Sequence, residues 1–351
     1  ASAFQNDSLG SDDAVGIAEK IKKGELSVSL VTQDAIERAK AVNPKLNAIT
    51  VENFDLAQTN SEKPFSGFFQ GVPTFIKDTD EVPGLPLYLG SRSLPGEPSD
   101  KYSKAAKQII DTGLNCLGTT TTPEFGLTGT TESLRFGATC NPWNTAYSTG
   151  GSSGGSSALV AAGVIPIAHA NDGAGSIRIP ASCCGLVGLK ASRGRIKDKE
   201  VPSYLPANIL HDGVVTRSVR DTWAFHAEIE KNIPATEFPP IGDISESFPK
   251  NLKIAVLTEN CLGENSSAEL VQATHDVARI CESLGHEVEM ISNPFYKKFD
   301  EDFWLLWAHF GFLIRYSVGK ELSSKFDHTQ LEQWPKYLIS VSYTHLRAHE
   351  T

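Results

Sequence analysis

The segment Ser148–Ser182, "STGGSSGGSSALVAAGVIPIAHANDGAGSIRIPAS", constrains the chain more than any other stretch. Paired glycines and serines fill Gly150–Ser157, and the apolar run "ALVAAGVIPIAHA" follows without a break. A Gly/Ser linker runs through solvent, but an apolar run of that length has to be buried, so the glycines and serines are expected to lie against a core. A phosphate-cradling loop is also disfavoured: G-x-x-x-x-G-K-[ST] is absent, and no strand–GxGxxG–helix context fits. Gly151–Gly155 do match the G-x-S-x-G elbow of α/β-hydrolases, with Ser153 at the centre. That elbow needs a strand immediately before it, and "CNPWNTAYSTG", with Pro142 and several turn formers, is a poor strand.

Around this segment the pattern is α/β. Two helices are expected within residues 11–50. Ser11 caps the first and Gly24 ends it; Ser27 caps the second, which stops before Pro44. "GVPTFIKD", Gly71–Asp78, reads as a buried strand that delivers Lys77 at its end. A helix and strand follow over 104–118, then a long ordered loop over 119–147. "LKIAVLTEN", the helix Ala268–Leu284 and "HEVEMIS" form a β-α-β unit, which requires a partly parallel sheet.

The formal charge of −10 and the lack of a basic stripe exclude a nucleic-acid partner. Six cysteines without C-x-x-C spacing and nine histidines without H-E-x-x-H give no metal site and read as buried thiols of a reducing compartment. The longest apolar run is too short to span a bilayer, and the first residues carry neither a basic nor an apolar signal region. The expected location is therefore cytoplasmic, with no membrane partner. His169 reads as a satisfied core histidine. The aromatic-rich stretch around Phe303, Trp304, Trp307 and Phe310 reads as core, with an apolar substrate pocket as the alternative. Ser317–Lys320 matches S-x-x-K, but no companion motif accompanies it.

Taken together, "GGSSGGSSALVAAGVIPIAHANDGAGSIRIPASCCGLVGLK", "GVPTFIKD", "TTPEFGLTGTTE" and "NPWN" resemble the amidase signature family, over roughly residues 12–340. "ANDGAGSIRIPASCCG" and "GLVGLKASRGR" are most similar to the branch containing the 6-aminohexanoate cyclic dimer hydrolases. The resemblance implies an α/β amidase-signature fold, a mixed sheet core covered by helices, no cofactor, and hydrolysis of a small-molecule carboxylic amide. It also implies a Ser–cisSer–Lys catalytic set: Ser176 as nucleophile, Ser152 as the bridging serine with a cis peptide bond, and Lys77 as base. Ser152 and Ser176 are 24 residues apart, as the two serines are in the family. Gly173, Ala174 and Gly175 fall where an oxyanion hole is expected, although the family usually has glycine at Ala174. Ser153 is expected to support Lys77, and Asp172 and Arg178 to brace the nucleophile loop.

The chemistry agrees with these assignments. An amide carbonyl needs an activated nucleophile and a site for its oxyanion. No histidine is placed by a motif to serve as base, and a lysine can do so only as the neutral amine, which burial favours. Asp78 and Asp80 beside Lys77 oppose this if their carboxylates turn inward. A glutamine-hydrolysing subunit of a tRNA-dependent amidotransferase is the alternative enzyme and a catalytically inactive binding relative the alternative class; a homodimer is compatible with either. Residues 1–341 are expected to be one amidase domain. "SYTHLRAHET", 342–351, resembles translated sequencing-adapter read-through, and the fold implied by the resemblance normally continues past this point, so its C-terminal part is expected to be missing.

Overall fold

The structure is a computed structural model and describes residues 1–196, 209–231, 238–242, 250–296, 298–313 and 325–348. The chain divides into two compact units, Ala1–Gly242 with Ile314–Pro335, and Asp243–Leu313 with Lys336–Thr351. The Ser317–Lys320 match and the last three residues lie outside the described residues.

In the first unit, the expected opening helices are α1 (Ala14–Lys22) and α2 (Val28–Leu46). The cap of α1 is Asp13, whose carboxylate accepts from Gly16 N, and not Ser11. Ser27 caps α2 as expected, accepting from Leu30 N at 3.1 Å. This helix continues through Pro44 to Leu46 instead of stopping before it. Asn47 then turns left-handed, and the Asn43 side chain accepts from Ala48 N and Ile49 N. A proline in a final turn sacrifices few helical bonds, and here a side chain takes up the chain as it leaves.

Strands β1 (Ile49–Glu52), β2 (Pro73–Lys77) and β3 (Asn115–Thr120) form a sheet in the order β1–β3–β2. Its β1–β3 pair is antiparallel and its β2–β3 pair parallel. All five residues of β2 are buried. Helix α3 (Phe54–Ser61) follows β1, and α4 (Lys104–Ile110), capped by Ser103, precedes β3. The loop after β3 holds one short hairpin, β4 (Glu132–Ser133) and β5 (Gly137–Ala138).

The glycine-serine stretch is interior: every residue from Thr149 to Val160 is buried. It ends in helix α5 (Gly154–Ala161). From there the chain enters β6 (Ile167–Asp172), which pairs antiparallel with β8 (His211–Thr216); β7 (Val187–Gly188) completes that sheet on the far side of β8. Of the two serines in α5, Ser157 Oγ has no hydrogen-bond partner among the described residues, whereas Ser156 links several segments. Ser156 Oγ donates to His169 O at 2.6 Å and shares a bond with Thr120 Oγ1 at 2.8 Å, which ties α5 to both sheets. The glycines permit this closeness. A Cβ at Gly155 would stand 2.5 Å from Thr121 N and 2.6 Å from Ala48 O. Because both are backbone atoms that cannot rotate away, Gly155→Ala is expected to destabilise the protein by about 1–3 kcal/mol, read as a fall in the urea midpoint at unchanged slope.

Helices α6 (Arg178–Cys184) and α7 (Val219–Glu230) complete this unit, together with the segment 325–335. The second unit contains the expected β-α-β motif: β9 (Lys253–Val256), α8 (Ala268–Ser283) and β10 (Glu287–Met290), the strands pairing in parallel, with Gly285 left-handed after the helix. The aromatic-rich stretch forms helix α9 (Phe299–Leu313), with Trp307, Ala308 and Phe310 buried, as expected for core, while Trp304 is exposed. It packs closely on the helix Gln333–Ala348, where Gly311 leaves no room for a side chain beside Leu338. Ser342–Ala348 belong to that helix.

Candidate active site

Three separately folded segments meet at the end of β2. Lys77 closes that strand and is fully buried. Its Nζ donates to Ser152 Oγ at 2.7 Å and to Asn171 Oδ1 at 2.6 Å. Ser152 precedes α5, is 2 % exposed, and follows Gly151 through a cis peptide bond. Gly126 approaches from the loop after β3, in a left-handed conformation; a Cβ there would lie 3.2 Å from Ser152 Oγ. Ser176 stands in the loop between β6 and α6 and is 8 % exposed; its carbonyl accepts from Ser153 N at 3.3 Å.

Both acidic neighbours of Lys77 accept hydrogen bonds from other groups. Asp78 turns to the 88–90 loop, where it accepts from Tyr88 N at 2.9 Å and Gly90 N at 3.0 Å, and burial pushes its carboxyl up to about 7. Asp80 accepts from Ser103 Oγ at 2.7 Å and from Thr79 Oγ1 at 2.9 Å.

Asp172 organises the nucleophile loop. Its two oxygens take Arg178 Nε and Nη2 at 2.9 Å each, together with the amides of Gly175 at 2.7 Å and Ile177 at 3.2 Å. Burial alone would raise its pKa, but the Arg178 guanidinium and these amides outweigh burial and hold it below the ordinary 3.8. The bracing expected of Asp172 and Arg178 is thus a bidentate ion pair closing a tight turn. A carboxyl with a depressed pKa adds stability above its unfolded value and loses it as the pH falls through its folded value. Asp172→Asn should therefore melt below the wild type at pH 7, with the gap narrowing as the pH drops below 3.8; a gap independent of pH would contradict the ion-pair account.

The loop amides correct one expectation. Gly175 N is occupied by Asp172 Oδ1, so it is unavailable to an oxyanion in this arrangement. The amides of Gly173, Ala174 and Ser176 have no acceptor among the described residues. Ser153 differs in detail as well. Its hydroxyl exchanges bonds with the backbone N and O of Asn171, both at 3.3 Å, and so reaches the lysine through Asn171. Fully buried and preceded by no strand, Ser153 does not form an elbow.

Two residues of β6 reach Lys77 without a role at the site assigned to them from the sequence: Asn171, and His169, which reads there as a satisfied core histidine. Asn171 accepts from Lys77 Nζ and donates to Thr79 Oγ1 at 2.7 Å; His169 Nδ1 accepts from Lys77 N at 3.1 Å. Strand side chains alternate, so 169 and 171 share the face turned to β2 while Asp172 takes the other. That alternation was present in "IAHAND", but nothing in the sequence named β2 as the neighbour. Among the described residues one grouping of metal-ligand type occurs, Asp80, His169 and Asp212, all buried. No helix of the described residues is long and apolar enough to cross a membrane.

A profile of the Amidase family matches residues 30–342. The chain is 43 % identical over 334 residues to the putative amidase AmiC of Mycobacterium bovis, covering 94 % of this chain and 70 % of that protein. It is 39 % identical over 289 residues to the 6-aminohexanoate-cyclic-dimer hydrolase of Paenarthrobacter ureafaciens, covering 79 % and 58 %. The solved structure of a 6-aminohexanoate cyclic dimer hydrolase with substrate superposes with a TM-score of 0.84 at 32 % identity, over 94 % of this chain and 71 % of that one. A bacterial aryl acylamidase of the amidase signature family superposes with a TM-score of 0.82 at 27 % identity, over 94 % and 72 %. With its mixed α/β fold and this breadth of likeness, the chain belongs to the amidase family, hydrolases of carbon–nitrogen bonds other than peptide bonds.

Proposed function

We propose that this amidase cleaves its substrate through a seryl acyl-enzyme formed on Ser176, with Ser152 as proton relay and Lys77 as base. The observation that carries the reading is the 2.7 Å contact between a fully buried Lys77 Nζ and Ser152 Oγ. A buried amine beside a hydroxyl is suited to taking a proton at neutral pH, since burial disfavours the ammonium form. Ser176 Oγ attacks the amide carbonyl, its proton passes to Ser152 Oγ, and the Ser152 proton passes to Lys77 Nζ. The amides of Gly173, Ala174 and Ser176 are the donors left to receive the tetrahedral oxyanion. As the C–N bond breaks, the proton returns through Ser152 to the departing amine or ammonia. Water, deprotonated along the same route, then releases the acid.

For substrate, the relatives favour a small neutral amide, cyclic or linear, over a tRNA-linked role. The glutamyl-tRNA(Gln) amidotransferase chain of Methanosarcina mazei is 35 % identical over 291 residues, below AmiC and the cyclic-dimer hydrolase. A panel of cyclic oligoamides, aryl acylamides and glutamine ranks these classes by kcat/KM. The catalytic assignment is tested separately. An alkyl fluorophosphonate is added to the full chain and the modified residue found by peptide mass spectrometry. Modification at Ser176 is expected; modification at Ser153 would sink the reading in favour of an elbow hydrolase, and an unlabelled protein in favour of an inactive relative.

A further inference from the structure

Among the described residues strand β2 has a ladder partner on one edge, β3, which lies between it and β1. Its other edge faces β6, and there side chains make the link. Thr74 Oγ1 donates to Ile167 O at 3.0 Å, and Lys77 N donates to His169 Nδ1 at 3.1 Å. A buried backbone N–H requires an acceptor, and here an imidazole nitrogen supplies one.

That contact fixes the state of the ring. Nδ1 receives an N–H, so it carries the lone pair and the ring proton sits on Nε2. Nε2 faces Asp212 Oδ1 at 3.1 Å, with Asp80 Oδ2 further off at 3.9 Å. All three side chains are buried. A carboxylate partner of this kind sets the tautomer and orientation of a histidine. A doubly protonated ring would turn a second N–H against Lys77 N. A cation among these three residues would have to break the Nε2–Asp212 bond, so the grouping is better understood as a hydrogen-bonded pair than as a metal site.

We propose that His169, locked by Asp212, is a positioning residue for the base: it clamps the main chain of Lys77 from the same face of β6 on which Asn171 holds the amine. This rests on the reading of Lys77 as base. The lysine is then gripped at both ends, its amide by residue 169 and its Nζ by residue 171, so the chain from Cα to Nζ is drawn toward Ser152. Small displacements of a reacting group are costly, ~10²-fold for about 1 Å.

The test compares His169→Asn with His169→Phe. Both abandon Asp212, but Asn places Oδ1 where Nδ1 stood and so still accepts from Lys77 N. The measurement is the rate constant of Ser176 phosphonylation by an alkyl fluorophosphonate, beside the melting temperature, on the full chain. His169→Phe is expected to be ~10²-fold slower than wild type and His169→Asn to recover most of that loss. The rates are compared at a temperature below both melting transitions, because His169→Phe also leaves the Lys77 N–H without its acceptor. Equal slowing of the two variants would overturn the proposal, because a purely structural histidine predicts that both fall together. Lys77→Ala runs in parallel. If it keeps the wild-type rate, the base reading falls and this inference with it; if it is inert while the two His169 variants behave alike, only this inference falls. Should both variants fail to fold, a scalar coupling between Lys77 N and His169 Nδ1 across the N–H···N bond in nitrogen-15-labelled wild type is the deciding measurement. Its presence supports the clamp and its absence overturns it.

Discussion

Ser176→Ala is expected to lower amide turnover by at least ~10³-fold, as loss of a covalent nucleophile does elsewhere, while leaving the fold intact. The two halves of that outcome have different causes. The Ser176 hydroxyl donates to no described residue, and the contact its loop depends on, Ser153 N to Ser176 O at 3.3 Å, is made by the backbone and survives the substitution. The loop itself is held by Asp172 and Arg178. The stability change should therefore stay within about 0.5 kcal/mol, as for substitutions that break no buried bond. A measured kcat within tenfold of wild type, on any amide the enzyme hydrolyses, would remove Ser176 from the mechanism. A large loss of activity accompanied by unfolding would contradict the account of how the loop is braced.

Lys77 should be as damaging to lose, and the choice of replacement discriminates among its roles. Lys77→Met keeps most of the apolar stem and deletes the amine. Lys77→Arg keeps a cation but cannot give up its proton near neutral pH. If the lysine acts as a base, both variants should lose at least ~10³-fold in kcat/KM, and raising the pH should rescue neither. If it acts only as a fixed positive charge, Lys77→Arg should retain much of the activity. Unlike Ser176→Ala, these changes carry a stability cost. Ser152 Oγ and Asn171 Oδ1 both lose a buried partner, worth about 1–3 kcal/mol per group left unsatisfied. Activity is accordingly compared at a temperature where circular dichroism shows each variant folded.

The three catalytic candidates show how legibility was divided. Lys77, Ser152 and Ser176 were named by the family resemblance that "GVPTFIKD", "GGSSGG" and "GSIR" carry, whereas local pattern alone offered a lysine ending an apolar strand and hydroxyls on glycine-rich turns. The β-α-β unit of 253–290 was readable from local pattern, since strand and helix periodicities are local properties. Helix caps were less so. Ser11 and Asp13 are both good caps, and the choice fell to Asp13, which also pairs with Arg220 some two hundred residues away. Pro44 inside α2 depended in the same way on Asn43 receiving the following backbone amides.

What the sequence determined by itself was the chemistry on offer: a lysine ending a buried strand, hydroxyls on glycine-rich turns, and an acid–arginine pair six residues apart. Which of these groups touch was decided by the tertiary structure. The packing of β2 against β6 directed Asn171 and His169 at Lys77, while Asp78 turned to the 88–90 loop and the Gly175 amide went to Asp172 within one turn. The physical reason is range. Backbone preference and apolar periodicity act over a few residues and are written in order along the chain. A hydrogen bond between positions 77 and 171 exists only once two sheets and a buried helix have fixed the distance between them.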